Sequence, residues 1–317
     1  MQTVLQTLSP ALRERAQPGV PLAEHTTYRV GGPAALWIEP ASDDEVLAIC
    51  QACATCDAPL ALIGNGSNII APDQGLDAVL LKLGGAFARI VDLDDDHLYV
   101  EAGAVLGRVS EHAQALGRSG LEWMIDIPGS LGGAVLMNAG NNEGEMRAVV
   151  ERVRLLDDQG VLRELPVADC DLSYRHSRFK ERGEIVLGAV LKLGPADDSA
   201  AIAARMQHQK SMRWGKFPME FPNAGSVFKR PPGHYAGKLI QDAGLMGLRV
   251  GDAEVSTKHA GFIINRGQAT ASDILSLIAE VQARVRDMSG VQLEPEQIAL
   301  RARVPAAFRS RTAPERP

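Results

Sequence analysis

Two short glycine-rich stretches have the residue types needed to hold an anion. "GNGSN" comprises Gly64, Asn65, Gly66, Ser67 and Asn68, and "IPGSLGGAVLMNAG" contains Pro128, Gly129, Ser130, Gly132, Gly133, Asn138 and Gly140. Glycine serves where backbone must take φ > 0 or approach another group closely. Turns of this kind aim several N–H groups at one point and bind phosphate without a lysine. Ser67, Asn68 and Ser130 can add side-chain donors. Two such turns side by side would clamp a diphosphate. The plainer alternative is a pair of tight turns with only a packing role, and the residues alone leave both readings open.

A second set of polar residues lies downstream. "LSYRHSRF" carries Tyr174 and Arg175; "NAGSVFKRPPG" carries Ser226, Lys229 and Arg230; "LEPE" ends on Glu296. Arg205, Lys210, Arg213 and Lys216 fall in a stretch without acidic residues. Taken singly, each of these bases reads as part of a solvated helix face. Taken as a set leading into the serine segment, they suit a diphosphate substrate. Ser226 does not sit in a G-x-S-x-G elbow, so hydrolase chemistry has little support.

Familiar nucleotide signatures fail when tested. Gly64-x-Gly66 starts like a dinucleotide fingerprint, but Ile69 stands where the third glycine must let the helix pack on its strand. "GHYAGKL" is one residue short of a phosphate loop, and Leu239 replaces the magnesium-binding hydroxyl.

The elements that must position these groups can be read from periodicity. Residues 43–56 predict a helix capped by Ser42, with Asp43 and Asp44 in its first turn. "PLALIG", "LDAVLLKL" and "HLYVEAGA" read as strands, and "VLGRVSEHAQALG" as a helix stopped by Gly117. "VVERVRLLDDQGVLREL" reads as a hairpin, followed by the strand "EIVLGAVLKL". "GPADDSA" suits a linker. Beyond it come helices in "AIAARMQHQKSMRW", "HYAGKLIQDAG" and "ASDILSLIAEVQARVRDMSG". The strands there are "HAGFIIN" and "VQLEPEQIAL", the latter interrupted by Pro295. Tight-turn strand pairs imply antiparallel pairing, hence an α+β protein rather than a doubly wound parallel sheet.

The 317 residues, 45% hydrophobic, provide for two or three domains. A net charge of −6 argues against nucleic-acid or acidic-membrane binding. The first residues lack the basic and apolar regions of a secretory signal, and no apolar run has bilayer length, so the expected location is cytoplasmic, without membrane insertion. Cys50, Cys53 and Cys56 have cluster-like spacing, but on a helix they read as small apolar residues; no metal is assigned.

Eight landmarks, in order over most of the chain, resemble the UDP-N-acetylenolpyruvoylglucosamine reductase family. They are "TTYRVGG", "LIGNGSNII", "IPGSLGGAVLMNAG", "SYRHSRF", "NAGSVFKRPPG", "AGKLIQDAGLMG", "VSTKHAGFIIN" and "LEPE". The absence of a long insertion after "YR" is similar to the shorter subtype. The resemblance implies an FAD-binding domain of the vanillyl-alcohol oxidase and p-cresol methylhydroxylase type at 1–195, with subdomains near 1–80 and 81–195. It implies a smaller substrate domain at 196–305 and a disordered tail at 306–317.

The implied reaction is NADPH-dependent reduction of the enolpyruvyl group of UDP-N-acetyl-3-O-(1-carboxyvinyl)-glucosamine through FAD, in peptidoglycan synthesis. The flavin would be non-covalent and held by Gly64–Asn68 and the stretch from Pro128 to Gly140. Arg175, Ser226 and Glu296 match the family's active-site positions, with Ser226 the proton donor. Tyr174, Arg213, Lys216, Lys229 and Arg230 are expected to meet the sugar nucleotide. NADPH is expected to share the substrate pocket, giving ping-pong kinetics, and the protein is expected to be a monomer. An oxygen-using flavin oxidase and a non-catalytic flavin-binding protein are the alternatives. Departures from the family are Phe217 in "KFP", Arg230 where some members carry Asn, and Gln297-Ile298 where Val-Arg is usual.

Overall fold

The computed structural model describes residues 1–305 and Phe308. Helices α1 (Gln2–Thr7) and α2 (Pro10–Arg15) precede strands β1 (Gln17–Pro21) and β2 (Pro33–Ile38). Helix α3 (Asp43–Thr55) leads to β3 (Leu60–Ile63), β4 (Ile69–Ile70) and β5 (Leu76–Lys82). The first sheet has the order β1-β2-β5-β3, with β2, β5 and β3 parallel and β1 antiparallel at the edge. Parallel strands need a crossover, and α3 carries the chain from β2 to β3, on the far side of β5. Ser42 accepts the Glu45 N–H at 3.3 Å, and the helix buries Val46, Ile49, Cys50 and Cys53 on one face. Burial pushes the Cys53 thiol up to about 12, with neighbouring Cys56 adding to the effect, as suits a packed apolar side chain.

The second sheet is wholly antiparallel. Strands β6 (Ile90–Asp94) and β7 (His97–Glu101) form a hairpin, followed by α4 (Leu106–Ala115) and α5 (Leu131–Leu136). Then come β8 (Val150–Leu156) and β9 (Leu162–Pro166), the expected hairpin, α6 (Arg178–Arg182) and β10 (Ile185–Lys192), in the order β6-β7-β10-β8-β9. Both helices α4 and α5 contribute to the core over this sheet, with Leu106, Val109, Leu131 and Val135 fully buried. Strand β6 escaped the sequence reading because it is only five residues long, with Asp92 and Asp94 between its apolar residues, and its Val91 and Leu93 are exposed at the sheet edge rather than in a core.

Helix α7 (Ser199–Lys216) begins the remainder, followed by α8 (Ala236–Asp242), β11 (Arg249–Val250), β12 (Ala253–Val255) and β13 (Ile263–Asn265). Then come α9 (Ala271–Ser289) and β14 (Ile298–Ala299). Strands β11 to β13 form an antiparallel sheet on which α9 packs. The last strand is shorter than the sequence pattern implied. Pro295 only bridges Phe228, and regular pairing resumes at Ile298 and Ala299, parallel to β4. This third core also takes in Tyr28 and Val30, between β1 and β2, and Ile70 of β4, so early and late parts of the chain are knitted together. The tail expected over 306–317 lies outside the described residues apart from Phe308, which is buried with the α3 core. Among the described residues no helix is long and apolar enough to cross a membrane.

Asp73 makes a further tie across this junction. It lies between β4 and β5, yet its carboxylate accepts from the Ala271 N–H (2.6 Å), the Ser272 N–H (2.9 Å) and the Ser272 hydroxyl (2.6 Å) at the start of α9. The helix has its own Thr270–Asp273 capping box, so Asp73 is a second anion at the positive helix end. Partial burial alone would raise its pKa, but these hydrogen bonds hold it below its ordinary value. Its contribution is therefore present at neutral pH and lost as pH falls through that lowered pKa. Asp73→Ala should cost about 1 kcal/mol at pH 7, with the difference from wild type shrinking below about pH 4. Urea unfolding of both proteins across pH checks this, and a difference that stays constant with pH would contradict it.

Candidate functional site

The two glycine-rich turns lie against each other. The first leaves the end of β3, and the second leads into α5. An added Cβ at Gly64 would sit 2.6 Å from the Ser130 hydroxyl oxygen, and Asn65 Nδ2 donates to the Pro128 carbonyl at 3.5 Å. Gly66 takes φ +62, and an added Cβ there would come within 2.0 Å of the His25 carbonyl. Gly132 is pressed on Ala102, its N–H donating to the Ala102 carbonyl at 2.8 Å. The Lys82 ammonium, at the end of β5, donates to the Gly64 carbonyl from behind the first turn. Burial lowers its pKa, opposed by nearby Glu39.

Both turns wall a cavity of about 620 Å³, whose lining includes Gly64 to Asn68, Pro128 to Ser130, Gly132, Gly133 and Gly140. Arg175, Ser226 and Glu296 line the same cavity, as do Arg213 and Lys216. Three remote segments thus meet where the sequence placed the chemistry.

Arg175 stands at the tip of a turn closed by paired backbone hydrogen bonds between Ser173 and His176. Its φ of 56° is left-handed, a conformation that costs a non-glycine residue of order 1 kcal/mol or more. Surrounding hydrogen bonds hold it there. Asn138 Nδ2 donates to the Ser173 carbonyl (3.0 Å), and the Ser177 hydroxyl to the Leu136 carbonyl (2.6 Å). The turn is therefore fastened to the C-terminal end of α5, whose N-terminal end carries the second glycine turn. Arg175 Nη2 donates to the Gly140 carbonyl at 3.1 Å and Nε to Glu296 Oε1 at 2.6 Å.

Glu296 and Ser226 come from neighbouring extended segments. The Glu296 N–H donates to the Val227 carbonyl (2.8 Å), and the Val227 N–H to the Gly261 carbonyl (2.9 Å). Ser226 itself is exposed to the cavity. Burial pushes the Glu296 carboxyl above its ordinary range, against the opposing pull of Arg175.

Other expected contacts stand further back. Asn138 is fully buried and outside the cavity wall; besides Ser173 it bonds Glu145 (3.2 Å) and accepts the Arg147 N–H (2.9 Å). Tyr174, Lys229 and Arg230 are also outside the wall. The Tyr174 hydroxyl accepts the Arg230 N–H (3.1 Å), Lys229 pairs with Glu294, and the Arg230 guanidinium lies 4.0 Å from the Tyr235 ring centroid. Arg205 is taken up by Glu122 and Asp197.

Sequence reasoning missed that α7 presents a whole face to the cavity. Gln209, Met212, Arg213 and Lys216 recur at i, i+3, i+4 and i+7, a spacing visible in the sequence. Arg213 Nε lies 3.1 Å from Asp126, which precedes the second turn. Burial lowers the pKa of Arg213 and raises that of Asp126, each opposed by the other's charge. Phe217, one of the departures, stacks on Phe262 at 4.8 Å, and Phe262 bridges Ser226.

Comparison with known proteins adds independent findings. A family model described as UDP-N-acetylenolpyruvoylglucosamine reductase, C-terminal domain, matches residues 217–300, and an FAD binding domain model matches 34–166. The UDP-N-acetylenolpyruvoylglucosamine reductase of Agathobacter rectalis is 42% identical over 287 residues, covering 87% of this chain and 91% of its own. That of Syntrophomonas wolfei is 42% identical, covering 89% and 94%. The crystal structure of the Thermus caldophilus enzyme is similar at a TM-score of 0.77 and 36% identity, covering 90% of this chain and 98% of that one.

The close approach of the first turn to residue 25 gives a test of the cradle. Gly66→Ala should strain the turn and shift it off His25, costing more than about 1 kcal/mol in thermal unfolding and weakening FAD retention, read by flavin fluorescence on dilution. Wild-type melting and wild-type retention would together contradict the geometry.

Proposed function

The chain belongs to the UDP-N-acetylenolpyruvoylglucosamine reductase family, and from that premise we propose how its residues divide the work. It is an FAD-dependent oxidoreductase of peptidoglycan synthesis that takes NADPH as hydride donor. The oxidase and non-catalytic alternatives are not favoured by these relatives. When bound, FAD supplies hydride transfer from NADPH to the enolpyruvyl double bond.

The residues present fit that cofactor. Turns 64–68 and 128–133 contain no acidic side chain, and a Cβ at Gly64 would press on the Ser130 hydroxyl between them. The nearby Asp126 carboxylate faces Arg213, and Lys82 adds a positive charge behind the first turn. We assign the cofactor diphosphate to these turns, and the flavin to residues 1–195. Residues 196–305 take the sugar nucleotide, with the basic face of α7 receiving its diphosphate. Asn138 acts on the cofactor site indirectly, by joining the Arg175 turn to α5. Tyr174, Lys229 and Arg230 form an outer rim beside the substrate.

The single observation that carries the catalytic reading is the convergence of Arg175, Ser226 and Glu296 on the cavity the two turns wall. Hydride arrival at the β-carbon leaves negative charge on the α-carbon and its carboxylate. Arg175 binds that carboxylate and stabilises the enolate-like charge. Ser226 delivers the proton to the α-carbon. Glu296, in protonated form, hydrogen-bonds to the same carboxylate. A substrate carboxylate occupying Arg175 would bring a further negative charge beside Glu296 and raise its pKa further. All these groups come from one chain, which supports a monomer as the working unit. The UDP-sugar and NADPH, both cytoplasmic metabolites, support a cytoplasmic location.

Ser226→Ala should leave bleaching of the flavin by NADPH intact while lowering substrate turnover by roughly 10²- to 10⁴-fold. Turnover near the wild-type rate would remove the serine from this role. For Glu296, the protonated form is the active one, so turnover should fall as pH rises through a pKa above the ordinary 4.5. In Glu296→Gln that limb should disappear from the kcat profile, and its persistence would assign it to another group.

A further inference from the structure

Gln297 directly follows Glu296, and its side chain is buried. Glu296 lines the cavity, whereas Gln297, in the bend just before β14, has its side chain in the protein interior. There its amide is used at both ends. Nε2 donates to the Ala224 carbonyl (3.2 Å) and the Gly225 carbonyl (3.3 Å), and Oε1 accepts the Tyr28 hydroxyl (3.0 Å).

The two carbonyls belong to the peptides on either side of Gly225, which has φ +76 and immediately precedes Ser226. Holding both peptide planes fixes the direction in which Ser226 leaves the turn. Tyr28 is itself fully buried, and its carbonyl accepts Asn265 Nδ2 at 3.0 Å. Burial raises the phenol's pKa, so it stays protonated and remains a donor to Gln297.

We propose that Gln297, braced by Tyr28, is a positioning residue that sets the Ser226 hydroxyl against the reacting carbon. It is tied covalently to Glu296 and by hydrogen bonds to the backbone before Ser226, so it couples the two groups' placement. This rests on Ser226 being the proton donor. Misplacing a reacting group by an ångström can cost on the order of 100-fold in rate.

The test uses the full-length FAD-loaded enzyme and measures the two half-reactions separately by anaerobic stopped flow. Gln297→Val should slow reoxidation by the enolpyruvyl substrate roughly 10- to 100-fold. Reduction by NADPH and the Kd for product should stay within about twofold of wild type. In a Ser226→Ala background the same change should add nothing, because there is no hydroxyl left to position. Gln297→Val/Tyr28→Phe should melt at a higher temperature than Gln297→Val, by removing the orphaned phenol, yet not regain the rate.

Should Gln297→Val not fold, Tyr28→Phe alone must slow the same half-reaction, and a wild-type rate overturns the proposal. Equal slowing of both half-reactions, or a full additive effect in the Ser226→Ala background, also overturns it. A Ser226→Ala enzyme with wild-type turnover defeats the proton-donor reading beneath it. Impaired Ser226→Ala with unaffected Gln297→Val defeats the positioning role only.

Discussion

The two glycine-rich turns meet where Gly64 faces the Ser130 hydroxyl, an added Cβ falling 2.6 Å from its oxygen, and much of the site follows from that approach. Glycine at position 64 leaves the Ser130 hydroxyl its place between the two turns. Their segments must also be delivered by rigid elements. The parallel strands β3 and β5 bring the first turn and Lys82, and β7 with α5 brings the second. Closeness converts two loops with separate N–H groups into one acid-free concavity, which is what a diphosphate requires.

The same frame orients the chemistry at the other end of the cavity. Helix α5 carries the second glycine turn at its start and grips the Arg175 turn at its end, through Leu136 and Asn138. A six-residue helix therefore sets the spacing between the second glycine turn and the guanidinium. Its shortness helps, since few bonds intervene in which error can accumulate. The left-handed backbone of Arg175 is held by hydrogen bonds at neighbouring residues. Glu296 and Ser226 are set by paired extended segments, and the first sheet's Tyr28 reaches into their core. The segments before and after residue 196 are consequently joined by buried contacts at several points rather than through a single linker.

Much of this was legible in the residues, for identifiable reasons. Glycine turns are visible because so few residues tolerate them. The α3 cap, the β8–β9 hairpin and α9 with its Gly290 stop announced themselves by local chemistry. Other features depend on contacts distant in sequence. The left-handed Arg175 has no sequence signature, since its conformation is imposed by Asn138 and Ser177. Asn138 looked like a cofactor ligand because it sits in a glycine-rich stretch, whereas burial turned its amide inward to bind backbone. The cavity-facing side of α7 is encoded in its i, i+3, i+4, i+7 spacing, whereas the sequence reading grouped its basic residues by their lack of acidic neighbours, which also takes in Arg205 on another side of the helix. Lys82 gave no sign, and Gln297 showed only as a departure from the family, because each acts on a carbonyl far along the chain.

The most direct measurement of the central claim is a crystal structure of the FAD-bound protein. The diphosphate oxygens should lie within about 3 Å of backbone N–H groups in both the 64–68 and 128–133 turns, with the flavin ring facing Arg175, Ser226 and Glu296. A diphosphate held by only one turn, or a ring turned away from those three side chains, would contradict it.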